Sequence, residues 1–292
     1  MDNLWNKDVE KDFFVKSLEF ATPEQLFYVT NDGRYLAYWP KNYKGRKTTL
    51  QSRNSLIGNF TEKWTTDLIQ NIIGKNGLFA VQGGICPEIA LPRNSPGDVI
   101  ISNTKGIYQR AEDIKMIIEV KMSVVWNWMY SEESNDIRLD CIGDYKSHKG
   151  NPGLLRSDSM LKAIGKSINI RVSSLRASRI PIIVLGNTPI TNNYYSKVDQ
   201  LKNAGIIQGF WSINPEPLEK NDENIKATEL KGYVKLNSAA ELKKMLNDCI
   251  SVDFNFFSSV KSKKELGSII EMADRKAIYE EKAAEFLRLL RG

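Results

Sequence analysis

Imidazole and thiol groups are almost absent from this chain. Its 292 residues include one histidine, His148, and three cysteines, Cys86, Cys141 and Cys249. Sites built from several imidazoles are therefore excluded, and a histidine-based triad would have to use that one residue. The cysteines lie far apart with no C-x-x-C pair. Neither a disulfide framework nor a zinc site is expected, and the sparse, odd count suits a reducing cytoplasm. No apolar run reaches the roughly 18 residues that span a bilayer. The opening "MDNLWNKDVEKDFF" is charged and has no apolar h-region, so neither a secretory signal nor a membrane partner is expected. There is no P-loop, hence no expected nucleotide cofactor, and no internal repeat or low-complexity tract.

What is present is an ordinary globular composition with a mild basic excess, net charge +6 and a pI near 9.0. A basic balance suits nucleic acid without requiring it. Residues 1 to 20 read as a helix. In "LFYVTNDGRYLAYWP" two aromatic-rich strands flank Asn31-Asp32-Gly33, a hairpin signal. From Ser55 to Ile73, Leu56, Ile57, Phe60, Trp64, Leu68 and Ile72 recur at helical spacing, with Gly74 and Gly77 as the stop. Strands are expected in "LFAVQGG" and "ICPEIAL" (one bent strand or two short ones), "GDVIIS", "IKMIIEVKMSVV", "RIPIIVLG" and "GIIQGFWSI". A helix is expected in "NPGLLRSDSMLKAIGKSINI", a surface loop over 214–232, and two closing helices over about 238–250 and 262–291. This order predicts a mixed α/β fold, a central mixed β-sheet flanked by helices. The expected organisation is one domain: an N-terminal helix and β-hairpin extension (1–51), a core (52–215) and a C-terminal helical extension (216–292).

The strand "MIIEVKMSVV" carries two charges in a run suited to a buried sheet. Side chains alternate along a strand, so Glu119 and Lys121 share a face. If "GDVIIS" pairs with it in antiparallel fashion, Asp98 begins the neighbouring strand close to Glu119. Two carboxylates at one edge repel unless a cation lies between them. Oxygen ligands of this kind suit Mg²⁺, which keeps several waters and takes one or two carboxylates plus phosphate oxygens. A lysine on the same face would orient or help deprotonate a metal-bound water, which equips such a site to hydrolyse a phosphodiester.

"PGD" (96–98), twenty residues, then "EVK" (119–121) resembles the signature of the PD-(D/E)xK nucleases, with Gly97 inserted between the proline and the aspartate. "SRNSLIGNFTEKWTTDLI" (52–69) is similar to the helix that precedes the catalytic strands in that superfamily, and Glu62 holds the place of its metal-facing glutamate. The resemblance covers roughly residues 52–190. It implies a restriction-endonuclease-like α-β-β-β-α-β core, and a type II restriction enzyme of a restriction–modification system. It further implies Mg²⁺ held by Asp98, Glu119 and the Val120 carbonyl, Lys121 acting on the attacking water, and in-line attack leaving a 5′-phosphate. The same fold also serves structure-specific repair or junction-resolving nucleases, and a non-catalytic DNA-binding protein is a further alternative. A palindromic site on double-stranded DNA is matched by a two-fold homodimer. The amphipathic last helix offers a face either for packing on its own core or for that second subunit.

Arg46, Lys47 and Arg53, and again Lys146, His148, Lys149, Asn151, Arg156, Lys162 and Lys166, flank the expected core and are candidate DNA contacts. Asn187, Asn192 and Asn193 are candidates for reading base edges. Three alternatives stay open. Glu62 is either a solvent-facing helix residue or part of the metal site. Glu88 competes with Asp98. Asp136, Asp140, Asp144 and His148, four apart, would line one face if that segment were helical, although "IRLDCIG" reads as β.

Overall fold

The computed structural model describes residues 4–74, 77–133, 136–216, 224–252 and 261–291. The chain opens with α1 (Lys7–Leu18) and the single turn α2 (Pro23–Leu26), followed by the hairpin β1 (Tyr28–Val29) and β2 (Tyr35–Leu36). Its turn contains Gly33 at φ 79°, as Asn-Asp-Gly anticipates. Next is α3 (Gln51–Ile73), which buries Ile57, Trp64, Leu68 and Ile69 on one stripe and stops at Gly74, φ 66°. Strands β3 (Phe79–Gly84), β4 (Gly97–Ser102) and β5 (Ile114–Lys121) follow, then the hairpin β6 (Asn127–Glu133) and β7 (Asp136–Gly143). Beyond these come α4 (Ser157–Ser173), β8 (Ile182–Gly186), α5 (Tyr195–Asn203), β9 (Gly209–Ser212) and β10 (Tyr233–Lys235). Three helices finish the chain: α6 (Ala239–Ser251), α7 (Lys263–Asp274) and α8 (Tyr279–Arg291).

The central sheet is mixed, as expected, with strand order β10-β9-β8-β5-β4-β3. β3, β4 and β5 run antiparallel, whereas β5, β8, β9 and β10 run parallel. Both faces are covered, so the inner strands are almost continuously apolar. Met116, Ile118 and Val120 of β5 pack with Phe13 and Phe14 of α1, Trp64 and Leu68 of α3, and Leu242 and Leu246 of α6. The opposite face of β5 carries Ile117, which packs with Ile170 of α4, and Val184 of β8 meets Met160 and Ala163 of the same helix. Alternation therefore turns Glu119 and Lys121 toward α4. A second, four-stranded sheet has the order β1-β2-β6-β7.

Three expectations need correction, and one alternative falls. "ICPEIAL" is not a strand: Pro87–Ile89 forms a 3-10 turn, closed by paired backbone hydrogen bonds between Cys86 and Leu91 (2.8 and 3.1 Å). Asp136, Asp140 and Asp144 do not line a helix. The first two lie on β7, whose pairing with β6 continues the second sheet, so the four-residue spacing has no helical meaning there. β10 and α5 were not anticipated. The closing helix is broken between Asp274 and Tyr279, and α8 folds back on α7 with Lys282 Nζ 2.6 Å from Asp274. A straight helix would leave its apolar stripe bare; folding back lets Ile270 and Ala273 meet Ala283 and Phe286 around one shallow hollow. The expected loop over 214–232 falls in part on 217–223, outside the described residues. Among the described residues no helix is long and apolar enough to cross a membrane.

Candidate active site

Pairing between β4 and β5 sets Val99 opposite Ile118, which brings Asp98 beside Glu119. Gly97 begins the strand because a side chain there would press on Ile100: a Cβ would stand 2.9 Å from Ile100 Cγ1. Asp98 Oδ2 accepts the Val120 N–H at 2.8 Å, a cross-strand bond that fixes the carboxylate against the tripeptide. Lys121 Nζ donates to Glu119 Oε1 at 2.6 Å and to the Val120 carbonyl at 3.1 Å, and lies 3.4 Å from Asp98 Oδ2. The three residues expected from sequence thus form one cluster, in which the Asp98 and Glu119 side chains are 14% and 6% exposed.

A fourth member comes from α4. Lys166 Nζ stands 3.0 Å from Asp98 Oδ1 and 2.7 Å from Glu119 Oε2. Lys166 was expected at the DNA with Lys162. A helix separates such neighbours by more than a full turn, but here only Lys162 is on the open face, paired with Asp158 at 3.0 Å. Arg171 anchors α4: its guanidinium donates to the carbonyls of Ile206 (3.0 Å), Ala177 (2.9 Å) and Ile180 and to Gln208 Oε1 (2.7 Å). Nothing in the residue type of Lys166 marked it out. The available signal was its position one turn before Ile170 on the helix face that packs against β5.

The electrostatics follow from this crowding. Burial pulls the Asp98 carboxyl upward, but Lys121 and Lys166, with the Val120 N–H, outweigh it and hold the pKa below the usual range. Burial works against the charged form of both lysines as well, yet the two carboxylates raise each above the ordinary lysine value. Glu62 is half-buried on α3, near enough to feel the charges of Asp98, Lys121 and Lys166. Its pKa is raised by burial and then by the Asp98 charge, against a hydrogen bond from Gln82 and the two ammonium groups. Gln82 is a partner that sequence reading did not name. Glu88 is exposed on its 3-10 turn, and the place beside Glu119 belongs to Asp98.

Two backbone devices hold the exit of β5. Asn187, expected to read bases, is buried; it accepts from Ser123 N (3.2 Å) and donates to the Ser123 carbonyl (2.7 Å). Gly153, at φ 53°, brings the 150–156 loop against the strand: a Cβ there would stand 3.2 Å from the Lys121 carbonyl oxygen. Asn192 and Asn193 are exposed.

The basic clusters divide in two. Arg46, Lys47, Lys149, Asn151, Arg156 and Lys162 are exposed, and Lys146 is half-buried. The loops carrying Lys47 and Lys149 are joined, because Pro40 bridges His148 and Lys149 N–H bonds the Trp39 carbonyl at 2.8 Å. Lys47 lies near enough to Lys149 to hold the second ammonium below the usual lysine value, and Lys149 Nζ donates to the Tyr43 carbonyl at 3.3 Å. Arg53 and His148 are corrections. Arg53 is buried, donating to the carbonyls of Leu26 (3.3 Å) and Ala37 with its guanidinium 5.1 Å from the rings of both Tyr28 and Tyr38. His148 is buried and stacked on Tyr38 at 3.7 Å, and burial pushes its pKa down to about 4. Both had been placed at the surface because their neighbours in sequence are polar.

No family model, no curated protein and no solved structure matches the chain. The site therefore has to be judged by its own chemistry. Its donor set fits a hard divalent cation. Asp98 and Glu119 converge on one point, and the Val120 carbonyl is near. Glu119 Oε2 is buried and accepts no hydrogen bond from the described residues, leaving only the ion-pair contact to Lys166. Among the described residues there is no group of three His, Cys, Asp or Glu side chains arranged for a metal. An ion held here would keep water or substrate oxygens in its remaining places, which is the habit of Mg²⁺.

Proposed function

We propose that this chain is a Mg²⁺-dependent endonuclease that hydrolyses phosphodiester bonds in double-stranded DNA at a specific sequence, a type II restriction enzyme of the PD-(D/E)xK kind. The observation that carries the reading is the meeting of Asp98, Glu119 and Lys121 at the end of two paired inner strands, with Glu62 of α3 near enough to feel their charges. The element order supports it too: α3, β3, β4, β5, α4, β8 is the α-β-β-β-α-β succession that the resemblance implies, with β6 and β7 as an insertion.

In this reading Asp98, Glu119 and the Val120 carbonyl hold the metal. When bound, the ion supplies Lewis acidity at the phosphate and lowers the pKa of a coordinated water. Lys121 keeps its ammonium beside Glu119, where it orients the attacking water and faces the charge that builds on the phosphate. Glu62, with its carboxyl held above the usual range, tunes that field. The exposed cations, above all the neighbouring Lys47 and Lys149, favour a polyanion as partner, since like charges near one another are relieved by a phosphate.

A second subunit is proposed at α4. Leu161, Ile168 and Val172 are 62%, 41% and 68% exposed and, with Gly165, recur at steps of four, three and four along one stripe of the helix. The steps read the same in either direction about the middle of Gly165 and Ile168, with Leu161 set against Val172 and the open notch at Gly165 against Ile168. That suits an antiparallel pairing of two copies across a two-fold axis.

One observation favours a different reading. The two carboxylates and two lysines neutralise one another, so the cluster also satisfies itself as a structural ion-pair network. That is the form expected of a non-catalytic DNA-binding protein. Incubation of phage DNA with the protein and Mg²⁺, followed by sequencing of the fragment ends, decides between them. The nuclease reading expects discrete fragments with 5′-phosphates at one short sequence. Cleavage confined to branched DNA would move the assignment to a junction or repair nuclease. No cleavage on any of a broad set of DNAs, or cleavage undiminished in Glu119→Gln, would overturn it.

A further inference from the structure

All four carboxylate oxygens of the site are already engaged by cations. Lys121 meets Asp98 Oδ2 and Glu119 Oε1, and Lys166 meets Asp98 Oδ1 and Glu119 Oε2. The two lysines do not have the same place. Lys121 lies on β5 itself and also bonds the Val120 carbonyl, whereas Lys166 enters from α4 and bridges the two carboxylates at 3.0 and 2.7 Å. A bridging position between two carboxylates is where a divalent ion would be held. Lys166 is not fully sealed in: its side chain is 18% exposed.

We infer that Lys166 is the resident counter-cation of the Asp98–Glu119 pair, and that a divalent cation binds there only by displacing its ammonium. The inference rests on the reading of Asp98 and Glu119 as metal ligands. Two consequences follow from Coulomb's law. With Lys166 present, the carboxylates are held together and their charge is compensated, and metal entry must break two close ion pairs. With an uncharged side chain in place of Lys166, the pair keeps only Lys121, its mutual repulsion is uncovered, and its demand for a second cation rises. Lys166 would therefore set the divalent-ion concentration at which the site fills.

Mn²⁺ alone is a suitable probe, titrated into DNA-free protein and counted by electron paramagnetic resonance of the free ion. Lys166→Met keeps the length of the side chain without its charge and should bind Mn²⁺ at least about tenfold more tightly than the wild type, a change of about 1.4 kcal/mol. Combining it with Asp98→Asn and Glu119→Gln should remove the site. Equal or weaker binding by Lys166→Met, beside a wild type that binds one ion, overturns the displacement and leaves the ligand pair standing. Binding by neither protein overturns both. Thermal melts report whether the variant folds. A wild-type measurement covers the case in which it does not. In ¹⁵N-lysine spectra the protected Lys166 ammonium signal should lose its protection as Mg²⁺ saturates, and an unchanged signal at saturation overturns the inference.

Discussion

Lys121 donates to Glu119 Oε1 at 2.6 Å from the same face of the same strand. This pair is the smallest unit of the proposed chemistry: a base-orienting cation beside a metal-binding carboxylate. Lys121→Ala should therefore lower the rate of DNA cleavage by at least about a hundredfold, the range for losing a general acid–base or electrostatic group. Binding of uncleaved DNA should be largely kept, because the exposed cations that would track the backbone lie elsewhere. Cleavage assays and fluorescence anisotropy on the same duplex check the two halves. Undiminished cleavage would remove Lys121 from the machinery.

Lys47 and Lys149 lie near one another on joined loops. Replacing both by alanine should weaken binding to any duplex sequence about equally. If each contacts one phosphate, the slope of log K against log salt should become shallower by about 2, at roughly 0.9 per phosphate. Anisotropy titrations at several salt concentrations, with Glu119→Gln as the background, measure it. An unchanged slope would place the DNA path away from these loops.

Arg53 separates a structural cation from a surface one. Its guanidinium is used up by two backbone carbonyls and two tyrosine rings in the interior. Arg53→Ala should cost about 3 kcal/mol of stability, since it strands buried acceptors and removes packing. It should leave the salt slope of DNA binding untouched. Urea unfolding and the same anisotropy series distinguish this from loss of a phosphate contact.

The fate of Arg53 and Lys166 shows where sequence pattern runs out. The hairpin at Gly33, α3 with its stop at Gly74, the strands around Asp98 and Glu119, and the buried β8 were legible because local periodicity and turn chemistry determine them. The shared face of Glu119 and Lys121 was legible for the same reason. Which surface a given Arg or Lys reaches depends on elements far away in the chain. α4 turns Lys166 inward because Ile170 and Ala163 seek the sheet, and two tyrosines of the N-terminal hairpin region enclose Arg53. The β character of "IRLDCIG" in β7 was legible, whereas its partner β6 was not, because "NWMYSEE" ends in charged residues and only its pairing with β7 defines it.

His148 gives a pH dependence with a definite sign. An unfolded chain takes up the imidazole proton near the ordinary value of 6.5, whereas the folded protein resists until about 4, because burial disfavours the cation. The unfolded state therefore binds more protons throughout that window. The contribution of His148 to stability is present above pH 6.5 and is lost as pH falls toward 4, by at most about 1.4 kcal/mol per unit. His148→Phe keeps a ring to stack on Tyr38 and has nothing to titrate. The stability difference between wild type and this variant, measured by urea unfolding at pH 4.5 and 7, should change by that slope. A constant difference would mean that His148 is solvated in the folded protein.

The stripe on α4 yields the most direct test of assembly. Leu161 and Val172 are exposed by more than half in the single chain, so their substitution by glutamine should leave the thermal stability of a monomer within about 0.5 kcal/mol. A dimer built on this stripe would bury each of them twice, once per subunit. Full burial of one such side chain is worth roughly 1.5 to 3 kcal/mol. Leu161→Gln with Val172→Gln should then raise the dimer dissociation constant by at least about a hundredfold, since 1.4 kcal/mol is a factor of ten. Sedimentation equilibrium over a range of concentrations reads this directly. A wild type that stays monomeric at high concentration excludes self-pairing through α4, and a dimer indifferent to both substitutions moves the interface to another face, the bare side of α7 and α8 being the next to examine.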